Sequence, residues 1–421
     1  MHSSAALHNE TEQTYMICRA KDIYEKIKNG STINSEEEFR ALLDADDSPI
    51  TDDMMTGAFS ELRLALGQNF KLDRICFLLG NGCSIYAGSK STEEFCMSEV
   101  VDEKDLNEIS DVTDKIKDQT MEQQLNDLLI MQDFYRITGD EKEKTVTAII
   151  DAIKEHLLKA YVNSVKYDEL YQHEVMFRKL RSFGCLNKVN LYTPNYDLAL
   201  EFMLDKLGID YANGFIGFVN RKFDPKSLQI AKSTRLVKIH GSVNWVFDEK
   251  EKVIKEVQPH FSSDGTVGVP EAEHVLIYPT EQKLYQTYNA PYSELMRSML
   301  DGFESHRNVI LVLGYRYADE HINEILYKAV ANPNNIFYFF DYGNGECDFI
   351  KRMMEISEDT QNINILLGKF LGDFETFVRY ILPANPEKSD EERIFELLNK
   401  VMEKHAAENQ EKSTSEDHHA E

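Results

Sequence analysis

The chain has 421 residues, 42% of them hydrophobic, enough to bury a sizeable core in two domains or one elaborated domain, and this excludes a disordered or collagen-like chain. Acidic residues outnumber basic ones 73 to 46, a formal net charge of −27, which excludes direct nucleic-acid binding through a broad basic face and leaves any DNA contact to another subunit. No apolar run approaches the ~18 residues of a membrane span. The opening MHSSAALHNETEQTYM lacks the basic start and apolar core of a signal peptide, and the six cysteines show no Cys-x-x-Cys spacing. A cytoplasmic protein is expected, with no membrane association, no disulfide framework and no zinc ribbon.

In chain order, residues 1–70 read as an N-terminal helical extension. SEEEFRALLD carries a capping-box pattern from Ser35 to Glu38, and MMTGAFSELRLAL spaces its apolar residues helically. RICFLL (74–79) is a short continuous apolar run ending at Gly80, as a buried parallel strand would. Residues 92–185 turn charged and periodic, as in TAIIDAIKEHLLKAYV, and predict a large helical insert. Strand-like runs return as KVNLYT (188–193), RLVKIH (235–240), VLIYP (275–279), NVILVLG (308–314), NIFYFF (335–340) and NINILL (362–367), several followed by helical patterns. This alternation predicts an α/β fold built on a doubly wound parallel sheet, Rossmann-like, over residues 71–382. Residues 383–421 predict an amphipathic helix carrying Ile394, Leu397, Leu398, Val401 and Met402 on one face, then a disordered polar tail.

Ligands of open α/β sheets bind beyond the carboxyl ends of the strands, so the residues directly after each apolar run are the candidates. They are Gly80-Asn81-Gly82-Cys83-Ser84, Thr193-Pro194-Asn195-Tyr196-Asp197, His240-Gly241-Ser242, Gly314-Tyr315 and Asp341. Glycines after a strand let backbone N–H groups approach a phosphate, although a tight turn uses the same residues. Asn195 alone is most often a turn residue, and His240 alone is more often a structural histidine than a catalyst. Their order along the chain at successive strand ends is more specific than any one of them.

In that order the motifs resemble those of sirtuins: Gly80-Asn81-Gly82-Cys83-Ser84 is similar to Gly-Ala-Gly-x-Ser, Thr193-Pro194-Asn195-Tyr196-Asp197 to Thr-Gln-Asn-Ile-Asp, and His240-Gly241 to the catalytic His-Gly. Leu313-Gly314-Tyr315 followed by Asp319 resembles the sirtuin-like NAD hydrolases of prokaryotic anti-phage defence. The resemblance implies a sirtuin-like fold with NAD as substrate and no metal in the reaction. It gives catalytic roles to Asn195, Asp197 and His240, and NAD contacts to Gly80, Asn81, Gly82, Ser84, Thr193, Ser242, Gly314, Tyr315 and Asp341. It also implies a homo-oligomer working beside a HerA-type hexameric ATPase. Two departures bear on the reaction: SIYAGSKST has no counterpart of the Asp-Phe-Arg element, and no cysteine lies between His240 and Gly314 where deacylating sirtuins carry four zinc ligands. NAD hydrolysis to nicotinamide and ADP-ribose is the expected activity. A deacylase or ADP-ribosyltransferase, and a non-catalytic NAD or ADP-ribose sensor, are the alternatives.

Overall fold

The computed structural model describes residues 23–27, 30–42, 52–72, 74–90, 94–95, 109, 115–261, 267–268, 274–276, 290–304 and 307–384. The expected C-terminal helix around Ile394 lies outside the described residues.

Seven strands form one sheet: β1 (Arg74–Leu79), β2 (Val189–Thr193), β3 (Tyr211–Ala212), β4 (Thr234–Lys238), β5 (Asn308–Leu313), β6 (Ile336–Asp341) and β7 (Ile363–Leu367). Their spatial order is β7-β6-β5-β1-β2-β4-β3, and every pairing is parallel. The continuous apolar runs follow from burial on both faces. Along β1, Ile75, Phe77 and Leu79 enter one core while Cys76 and Leu78 enter the other, and β5 divides Val309, Leu311 and Leu313 from Ile310 and Val312 in the same way. The chain builds β2, β3 and β4 on one side of β1 and returns to build β5, β6 and β7 on the other. The strand order therefore reverses between β1 and β5, the topological position at which such sheets open a ligand crevice.

The N-terminal helices α1 (Glu36–Leu42), α2 (Asp52–Ala58) and α3 (Ser60–Leu72) pack onto this domain rather than standing apart from it. Ser35 accepts from the Glu38 N–H at 3.1 Å, as the capping pattern predicts, while the Glu38 carboxylate reaches back to the N–H of Asn34 at 2.6 Å. Thr32 bridges to Leu367 at the edge of β7, and the Ile33 N–H donates to the Leu367 carbonyl at 3.0 Å. The helical insert between β1 and β2 contains α4 (Met121–Thr138), α5 (Lys142–Asn163) and α6 (Tyr171–Ser182). A capping box of Thr120 and Gln123 starts α4, and α5 buries Val146, Ile149, Ile150, Ile153 and Leu157 at helical spacing. The helices α7 (Ala199–Lys206), α8 (Tyr292–Glu304), α9 (Glu320–Val330) and α10 (Asp348–Asp359) complete the layers.

One expected strand belongs elsewhere. His274–Leu276, overlapping the start of the VLIYP run, pairs antiparallel with Gly241–Asp248 in a second, five-stranded sheet that also contains Val253–Glu256, Arg221–Phe223 and Phe215–Ile216. A short apolar run does not specify the direction of its partner, so periodicity alone assigned it to the parallel sheet. The segment directly after His240, Gly241–Asp248, is itself a strand of this second sheet.

Candidate functional site

The carboxyl ends of β1 and β5 are held together by glycine. The Gly80 N–H donates to the Leu313 carbonyl and the Gly82 N–H to the Gly314 carbonyl, each at 2.9 Å. A Cβ on Gly80 would lie 2.3 Å from the Gly314 oxygen, and one on Gly314, whose φ is +60°, would lie 2.5 Å from the Cys83 nitrogen. The glycines of this loop therefore permit a close approach of the chain to itself, with Gly82 and Gly314 forming part of a cleft floor. Cys83 is buried, its thiol donating to the Leu313 carbonyl at 3.4 Å, and burial first, then Asp373 and Asp197, push its pKa well above that of an ordinary thiol. That makes it a packing residue.

The cleft has a volume of about 880 Å³, at the upper end of the ~300–1,000 Å³ of small-molecule sites. Asn195 and Asp197 from the loop after β2, His240 after β4, Asn81, Gly82, Gly314, Tyr315 and Asp341 all line it. Gly80, Ser84, Thr193 and Ser242 do not line it, and their contacts lie within the protein. Thr193 donates its hydroxyl to the Leu79 carbonyl at 2.7 Å and accepts from the Asn195 N–H at 3.0 Å, tying the β2 loop to β1. Ser242 is fully buried, its hydroxyl 3.5 Å from the Tyr196 carbonyl, and Ser84 is buried where two short 3₁₀ turns meet.

Asp197 is buried, and one of its carboxylate oxygens accepts from the Ala199 N–H at 2.9 Å, capping α7. Burial raises its pKa, opposed by Lys238 and by that N–H. Lys238 points from β4 into the protein, 3.2 Å from the Glu201 carboxylate, and donates to the carbonyls of Tyr196 (3.1 Å) and Asp197. The ammonium thus holds the Asn195–Asp197 turn from behind. Lys238 went unremarked in the sequence, although a lysine inside the apolar strand RLVKIH, two residues before His240, is a signal that a buried acid awaits it.

His240 stands where the chain leaves one sheet for the other. Gly241 has φ +89°, and a Cβ there would meet the Val275 carbonyl oxygen at 2.1 Å, so the His-Gly step requires glycine. The His240 ring is buried, 6.3 Å from the ring of Tyr196, and its Nε2 lies 2.8 Å from Nε2 of His321. His321, in the first turn of α9, was not singled out by sequence. Asp319 completes a group in which one ligand atom from each residue lies within 4.8 Å of the others, a set able to hold a metal ion.

Asp341 keeps one carboxylate oxygen on the Gly345 N–H at 2.6 Å. Tyr315 donates to the Asp319 carbonyl at 3.2 Å, anchoring the start of α9. Asp373, another lining residue without a sequence motif, caps the Thr376 N–H at 3.1 Å and has its pKa raised by burial. Seven carboxylates face the cleft, Asp341, Asp373 and Glu346 among them, against two basic side chains, Lys90 and Arg316. An anionic ligand must therefore rely on backbone N–H groups and on these two cations. Among the described residues, no helix is long and apolar enough to cross a membrane.

An α/β Rossmann-like sheet with its cleft at the strand-order reversal defines the class of doubly wound open-sheet folds. Within it, residues 189–364 match a family model described as a SIR2-like domain, a stretch that includes Asn195, Asp197, His240, Gly314 and Asp341 but begins after the Gly80 loop. No curated protein matches the chain. Solved structures similar to it include a Sir2 homolog–NAD complex (12% identity, TM-score 0.38, covering 75% of this chain and 93% of the other). A Sir2 homologue–ADP-ribose complex is similar at 11% identity and TM-score 0.37, covering 75% and 95% respectively.

Proposed function

We propose that this chain is an NAD hydrolase that releases nicotinamide and ADP-ribose, acting as an anti-phage effector that depletes NAD. The observation that carries the reading is the convergence of Asn195, Asp197 and His240, from two different strand ends, on one large cleft beside the Gly82–Gly314 contact. The SIR2-like match over 189–364 supports NAD as the ligand. Against deacylation stands the segment after His240, which forms an antiparallel sheet and contains no cysteine up to Gly314.

The chemistry needs little from the protein. The nicotinamide–ribose bond breaks with its electron pair going to the cationic pyridinium, which departs neutral, so no general acid is required. Water forms the new bond to the anomeric carbon and gives up one proton. Asn195 orients that water or a ribose hydroxyl, and His240 accepts the proton. Asp197, kept in a buried environment, reads the nicotinamide carboxamide. Gly82, Gly314 and Arg316 border the pyrophosphate, and Asp341 offers its second oxygen to a ribose hydroxyl.

A hydrolase of a shared metabolite must be restrained, and we assign that restraint to assembly with a HerA-type ATPase in a homo-oligomeric complex. The deciding experiment is NAD consumption with chromatographic identification of products, on the chain alone and with its ATPase. Free ADP-ribose supports hydrolysis, ADP-ribose on an acceptor indicates a transferase, and binding without turnover indicates a sensor. A fully active monodisperse monomer overturns the assembly reading.

A further inference from the structure

We propose that His240, Asp319 and His321 form a binding site for a divalent transition-metal ion of the zinc class, placed so that the ion seals off the nitrogen His240 needs as a base. Two imidazoles and a carboxylate are the donor set such ions prefer, and three protein ligands leave a position open to the cleft. One ligand atom from each residue lies within 4.8 Å of the others, and both histidines are buried.

Local structure points the same way. Asp319 is the N-cap residue of α9. Its backbone is held by the Tyr315 hydroxyl, which donates to its carbonyl at 3.2 Å, and Asn323 donates to the Tyr317 carbonyl at 2.7 Å. His321 sits two residues on, so the Asp-x-His step delivers a carboxylate and an imidazole from one rigid turn toward the histidine after β4. The two Nε2 atoms are 2.8 Å apart. Tetrahedral ligation at a metal–nitrogen distance of ~2.0–2.1 Å sets two nitrogens about 3.3 Å apart, so an ion can sit between them after a separation of about half an ångström. The ligands come from opposite sides of the strand-order reversal, so the ion would also pin the two halves of the cleft together.

The site stands on this geometry, and its inhibitory consequence alone rests on the hydrolase reading. The test is metal binding by the full chain after chelator treatment, titrating Zn²⁺ calorimetrically and Co²⁺ by visible absorption, with Asp319→Ala, His321→Ala and His321→Gln in parallel. Circular dichroism confirms that each variant is folded, and the Gln variant preserves side-chain volume. The expected result is one equivalent bound by the wild-type chain with tetrahedral Co²⁺ bands, and loss of that equivalent and those bands in the variants. Wild-type binding that persists unchanged in folded variants, or no binding by the wild-type chain, overturns the proposal. NAD turnover is read separately: Zn²⁺ at one equivalent is expected to lower the wild-type rate at least tenfold, and metal binding by a chain inactive in every condition upholds the site while removing the hydrolase.

Discussion

The Lys238 ammonium lies 3.2 Å from the Glu201 carboxylate, the lysine side chain 1% and the glutamate side chain 10% exposed, directly behind the turn that presents Asn195. Burial raises the Glu201 pKa and Lys238 opposes it, while the second carboxylate oxygen of Glu201 has no hydrogen-bond partner. Removing the lysine alone leaves a buried acid uncompensated. Lys238→Met is expected to destabilise the fold by about 3–5 kcal/mol in denaturant unfolding, and Lys238→Met with Glu201→Gln to recover part of that loss. Equal stability of the single and double variants would show that the uncompensated Glu201 charge is not what destabilises the single variant.

Gly314 is expected to tolerate no side chain. Alanine there would meet the Cys83 nitrogen at 2.5 Å and occupy φ +60°. Gly314→Ala is predicted to cost roughly 2–5 kcal/mol, from left-handed strain and overpacking together, and to weaken NAD binding because β1 and β5 must part. Thermal unfolding and NAD titration check both halves.

Asn195→Ala and His240→Ala test the chemistry. Each is expected to lower kcat for NAD cleavage by roughly 10²–10⁴-fold while leaving the circular dichroism spectrum intact. Undiminished turnover in either variant would remove that residue from the mechanism.

In a cleft so rich in carboxylates, Arg316 is one of two basic side chains on the wall, and it is exposed. Its loss is predicted to raise the Kd for NAD about tenfold in Arg316→Ala, and added salt to narrow the difference from wild type. An unchanged Kd at low salt would place the pyrophosphate elsewhere.

Behind the cleft wall, His173 is buried with its Nδ1 2.8 Å from the Tyr86 hydroxyl, and burial lowers its pKa from 6.5 to about 3. Below pH 6.5 the unfolded chain binds a proton that the folded chain refuses. The stabilisation is therefore complete above that value and is lost progressively as pH falls toward 3, the loss reaching about 2 kcal/mol by pH 5. The raised pKa values of Asp197, Glu201 and Asp373 act in the opposite sense, since acid relieves their buried charge. The pH dependence of wild-type stability minus that of His173→Asn isolates the histidine, and a difference independent of pH would contradict its burial as a neutral ring.

The continuous apolar runs RICFLL, KVNLYT, NVILVLG, NIFYFF and NINILL, alternating with helical patterns, were enough to indicate a parallel sheet, because crossover helices bury both of its faces. The residues that follow them named the cleft, since a parallel sheet places all its carboxyl ends on one side. What those residues do there was decided by the tertiary structure. Gly80 and Thr193 face the protein while Gly82 and Asn195 face the cleft, a division set by how the ends of β1, β2 and β5 pack. The Lys238–Glu201 pair and the His240–His321 contact join residues 37 and 81 positions apart. No local pattern encodes such distances, because burial, charge compensation and ligand geometry are properties of neighbours in space.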